Sequence, residues 1–159
     1  MTSLYDVSIP VYTDITKTTQ SILKKGEEHF KSQGKDTSEL VFIIVATGRK
    51  LIERVTGGSP VDTPMKEYSL SECYELLDTH LGELAKVDRA SVDGRDKTEV
   101  PCKFGPEEFK ASARDYVFGY PVPTAYFHLN MVYALLRGQG VPLGKKDYMA
   151  EFMKTFTKA

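Results

Sequence analysis

Apolar residues recur along most of this chain at intervals of three and four, the period of a helix that buries one face. Between Val11 and Gln33, the residues Ile15, Thr19, Ile22, Gly26 and His29 share one stripe, and Lys17, Gln20, Lys24 and Lys31 cover the rest. Residues 1–10 read as an irregular lead-in ending at Pro10, and Gly34 reads as the stop of this first helix. Asp36 and Glu39 have capping-box spacing for a second helix over residues 37–55. Its LVFIIVATG run also fits a buried parallel strand. Against that, Leu51, Ile52 and Val55 continue helically from Ile44 and Val45, and no second strand of this kind follows. A third helix starts at a Ser69–Glu72 capping box, carries Cys73, Leu77, His80, Leu81 and Leu84, and runs to about Asp88. A fourth opens at Pro123 and buries Ala125, Leu129, Val132 and Leu136, with His128 and Leu135 on the same side; Gly138 and Gly140 stop it.

The third and fourth helices are joined by roughly 30 residues, far more than the usual few. Within them TEVPCKF and EEFKA have the pattern of a short hairpin across Gly105–Pro106, and SARDYVFGY of a helical turn. The aromatics Phe104, Phe109, Tyr116, Phe118 and Tyr120 point to an ordered cover rather than a loose linker. Asp147 to Phe156 predicts a terminal helix with Tyr148, Phe152 and Phe156 on one side. The expected fold is all-α: one domain over residues 1–159, an up-down-up-down four-helix bundle with a long helix 3 to helix 4 connection that has room for a β-hairpin.

Composition narrows the function. A charged fraction of 27% and a net charge of -1 give no electrostatic case for nucleic acid. The longest apolar run, Leu40 to Ala46, is far short of the roughly 20 residues of a membrane span. MTSLYDVSIP has neither the basic nor the apolar region of a signal peptide. Cys73 and Cys102 form no metal or redox motif. A soluble cytoplasmic protein, binding neither nucleic acid nor membrane, is the expectation.

The segments SLYDVSIP, KKGEEHF and, above all, YFHLNMVYALLRGQGVPLGKKDYM resemble a microbial, often fungal, family catalogued only as a domain of unknown function and grouped with the DinB/YfiT-like helical bundles. The resemblance covers about half of the chain, at both ends. Relatives have a longer segment where this chain has only SQGKDTSEL. The resemblance implies an up-down bundle, often dimeric, with no settled activity. DinB-like bundles often hold a divalent metal through three histidines, two of them on one helix. Here His128 has Val132 four positions on and Thr124 four positions before, so that pair is missing.

Strict alternation of helices brings His29, His80 and His128 toward one end of the bundle, where the long connection leaves and returns. This predicts a lidded cavity. His128 and His29 are the candidate acid-base residues, and His80, Tyr116, Tyr120, Tyr126, Gly26, Leu129 and Val132 are candidate ligand contacts. Each histidine also fits a core residue satisfied by its neighbours, and the tyrosines fit amphipathic packing. Three function classes follow. The first is a small-molecule-binding bundle, possible as a cofactor-independent enzyme with histidine acid-base chemistry, and with no metal in the site. The second is a metal-dependent transferase or hydrolase of the DinB kind. The third is a non-catalytic dimeric interaction module. A homodimer with helix two in or near the contact is expected, because one chain has little with which to cover Leu40 to Val45.

Overall fold

A computed structural model describes residues 2–32, 41–59, 61–64, 66, 68–104 and 106–157, with the side chains of 41–43 and 104 left aside. The first helix, α1 (Leu4–Lys31), begins well before Pro10. Ser3 accepts from the Asp6 amide while Asp6 accepts from the Ser3 amide, a capping box that starts the helix in the predicted lead-in. Pro10 lies inside α1, where it forfeits one bond to the preceding turn. Burial of Leu4, Ser8, Ile9 and Tyr12 outweighs that loss and carries the helix across it.

The ambiguous apolar run is helical: α2 spans Val41–Thr56 and buries Ile44, Val45, Leu51 and Val55. The Asp36–Glu39 cap and the Gly34 stop fall outside the described residues. Helix α3 (Leu70–Ala85) starts from the expected Ser69–Glu72 box. Strands β1 (Glu99–Phe104) and β2 (Glu107–Ser112) pair antiparallel with Val100 opposite Ala111, so the hairpin exists. It is followed by α4 (Ala113–Gly119) and α5 (Pro121–Gly138). Ala125, Leu129, Val132 and Leu136 are buried as expected, whereas Leu135 points outward. The last helix, α6 (Lys145–Met149), is shorter than predicted. Tyr148 and Phe152 pack together, but Phe156 is exposed.

Helix directions depart from strict alternation. Along α1, Asp6 bonds Arg89 beyond α3, Tyr12 packs edge-on against His80, and Gln20 bonds Asp78, so α1 and α3 are antiparallel. Gly26 abuts Leu136 and His29 lies beside Gly140, so α1 and α5 run the same way. Arg54, near the end of α2, reaches Pro101 and the ring of Tyr116 just ahead of α5; α2 therefore opposes α5. The order is up, down, down, up. Residues 57–69 permit it, because an extended connection of that length reaches roughly 40 Å, more than the roughly 24 Å rise of a 16-residue helix. The path returns the chain to the far end before α3 begins.

Candidate functional site

Reversing the expected directions of α3 and α5 separates the histidines. Tyr12, which touches His80, lies roughly 25 Å along α1 from His29. His128 is ten residues before the end of α5, roughly 15 Å from the end where His29 sits. His29 and His128 thus do not line one cavity. His29 is half-buried beside Gly140 and Phe30. His128 is half-buried on the flank of α5, with Nδ1 enclosed and unbonded, and burial lowers its pKa.

His80 is fully buried. Its Nδ1 lies 3.1 Å from Glu83 Oε2, one helical turn on. Arg49 of α2 fixes that carboxylate with both Nε and Nη2, and its Nη1 donates to Thr63 at 2.9 Å. Burial acts most strongly on both partners. It pushes His80 toward the neutral form against the pull of Glu83, while hydrogen bonds from His80 and Arg49 overcome it at Glu83 and hold that carboxyl at about 2. A neutral imidazole donating from Nδ1 leaves a lone pair on Nε2, and Nε2 has no partner. It packs instead against Gly48: a Cβ there would fall 2.2 Å from Nε2 and 2.5 Å from a ring carbon of Tyr12. His80 is a packed, oriented core histidine with no space at its free nitrogen.

The remaining predicted contacts divide. Gly26 serves helix packing, since a Cβ would meet Leu136 at 2.8 Å. Leu129 and Val132 are core residues. Tyr126 stacks on Phe152, across α5 from the flank that carries His128. Tyr116 and Tyr120 do come together, with ring centroids 6.0 Å apart. They line a cleft of about 20 Å³ with Lys50 and Arg54 of α2 and Cys102 and Lys103 of β1. That volume suffices for a single water or small ion. Arg54 is tethered by Nε to the Pro101 carbonyl at 2.8 Å and lies over the Tyr116 ring at 5.1 Å. Its Nη1 is nevertheless buried without a partner. The Tyr116 hydroxyl is also buried, close to Arg54 but short of hydrogen-bond geometry, and burial raises its pKa strongly. Burial likewise keeps the Cys102 thiol neutral against the nearby Arg54 charge, so it is no ready nucleophile.

Sequence reading missed Lys50, Arg54 and Lys103. The spacing of Lys50 and Arg54, four apart on one helix face, was the available signal. A larger groove of about 710 Å³ between α1 and α3 has a mixed lining, with Lys17 and Lys24 against Glu27, Asp78 and Glu151; the Gln20–Asp78 bond crosses it. Among the described residues, no three His, Cys, Asp or Glu side chains converge as a metal would require. No helix among them is long and apolar enough to cross a membrane.

No curated protein matches this chain. A crystal structure of a DinB family member protein from Shewanella denitrificans matches at 20% identity with a TM-score of 0.75, covering 92% of this chain and 91% of that one. At that identity the likeness establishes a DinB-like fold. The family model described as domain of unknown function DUF1993 matches residues 4–149, nearly the whole chain, and the chain therefore belongs to the DUF1993 family.

Proposed function

We propose that this chain is a small-molecule-binding bundle whose recognition point is the cleft between α2, the hairpin and α4. The observation that carries this reading is Arg54, which is held in place at Nε while Nη1 stays buried and unbonded. A guanidinium donor left unpaired costs stability, and a core selected for folding alone has apolar replacements at hand. The hairpin roofs the cleft, in keeping with the lid expected of the long connection. His128, half-buried with Nδ1 unbonded, is retained as the acid-base candidate; His29 lies too far away to join it.

Tyr116→Phe separates this reading from plain packing. Removing an unpaired buried hydroxyl should raise stability by about 1 kcal/mol, while ligands found by fragment screening of the wild-type protein should bind more weakly. Fragments that bind wild type and variant equally would remove the cleft from consideration. A dimeric interaction module is the second reading, favoured by the uncharged outer face of α5. The metal-dependent reading finds no donor set among the described residues.

A further inference from the structure

We propose that the cleft takes a compact oxyanion, a phosphate or carboxylate group, either free or at the end of a larger molecule. This rests on the ligand-binding reading above and adds the chemical class. Three cationic side chains, Lys50, Arg54 and Lys103, line a space with two phenols and a thiol, and no acidic residue lines it. Among the described residues neither Lys50 nor Arg54 has an ion-pair partner. Lys103 faces Glu108 only across the exposed hairpin, at 3.9 Å. Arg49, one residue before Lys50, shows what this fold does with a guanidinium it uses structurally: Glu83 and Thr63 occupy its donors. Arg54 has the anchored stem and the open donor, but no counter-ion among the described residues. A fixed, partly desolvated guanidinium with a free N–H matches a planar carboxylate or a phosphate oxygen, because charge-assisted hydrogen bonds of this kind are short and strong. The Tyr116 phenol adds a neutral donor, since burial raises its pKa and keeps it protonated.

The size of the cleft sets a limit. About 20 Å³ admits one oxygen of the anionic group and leaves the rest of that group, with any organic body, outside against the hairpin and Lys50. Chloride, spherical and weakly accepting, should be a poor substitute for an oxygen acceptor with fixed lone-pair directions.

The test is calorimetric titration of the full chain with inorganic phosphate and, separately, with acetate, each against chloride at matched ionic strength. Side-chain NMR of the Arg54 Nε–H provides a second readout. Saturable binding of either oxyanion is expected, with a shift of the Arg54 resonance. Arg54→Met should weaken it at least about tenfold, as loss of a hydrogen bond to a charged group does. Lys50 is exposed and has no ion-pair partner among the described residues, so Lys50→Met should leave the fold intact and weaken binding roughly two- to fivefold. It carries the test if Arg54→Met fails to fold. Phosphate binding without acetate binding assigns the tetrahedral class, and the reverse assigns the carboxylate. No binding of either beyond chloride overturns the proposal, as does binding that both variants leave unchanged. If neutral fragments still bind in a Tyr116-dependent way, the ligand-binding reading survives that failure; if they do not, both fall.

Discussion

Gly48 is where a single atom decides the packing of three helices. With 2.2 Å between an added methyl and His80 Nε2, the imidazole must move, yet Glu83 and Tyr12 hold it on two sides. Gly48→Ala should therefore destabilise by about 1–3 kcal/mol despite the better helix propensity of alanine, measurable by urea denaturation. The same imidazole predicts a pH dependence. Groups facing it are Glu83 on its own helix, Tyr12 from α1, and Arg49 and the Gly48 backbone from α2. Folding lowers the His80 pKa below its ordinary 6.5, so between the two values the unfolded chain binds more protons. Stability is full above 6.5 and falls as pH drops through that value. Glu83, held at about 2, adds a further loss only below its ordinary 4.5. Denaturation curves between pH 8 and 5 should show the first loss in wild type and a smaller one in His80→Gln. Equal losses would mean that folding leaves the His80 pKa unchanged. None of this was legible as a relay in the sequence, although Glu83 stands one turn from His80. The partner that fixes the carboxylate, Arg49, is 34 residues away and arrives only through tertiary packing.

Helices were legible wherever burial had a period. The stripe of α5 and the α3 capping box both follow from local spacing. Pro10 misled the reading of α1, because a proline stops a helix only when nothing beyond it is buried more profitably. Upstream of Pro10 lie a completed capping box and the fully buried Leu4, and they extend the helix backwards. The proline still costs a hydrogen bond, and its ring is exposed. Pro10→Ala should therefore raise stability, by up to about 3 kcal/mol, less whatever proline gains by restricting the unfolded chain. A melting temperature below wild type would show that the ring fixes a bend the bundle needs. Helix direction, by contrast, has no local signature. Whether α3 runs with α2 or against it depends on how residues 57–69 travel, and periodicity is blind to that. The supposed histidine cluster failed at this step, while Tyr116 and Tyr120 lie together because both belong to one short stretch of chain.

At the scale of the molecule, the feature in need of a partner is the outside of α5. From Pro121 to Leu136 the chain carries no lysine, arginine, aspartate or glutamate. Phe127, Met131 and Leu135 form an exposed row at i, i+4 and i+8, with Phe127 and Leu135 at 60% and 51% exposure. A helix solvated on that side would carry charge there. We propose that a second copy of this chain covers the row, which moves the centre of the expected homodimer contact from α2 to its neighbour α5. A row without charge is complementary to its own two-fold mate, since nothing on it repels an identical surface, whereas a charged partner would find no counter-charge. Met131→Lys places like charges face to face across such a contact, at a position whose side chain reaches the surface of the monomer. Light scattering at micromolar concentration should give a dimer for wild type and a monomer for Met131→Lys, with unchanged circular dichroism. A wild-type monomer would leave the α5 row without its proposed occupant, and a dimer that survives Met131→Lys would place the contact elsewhere.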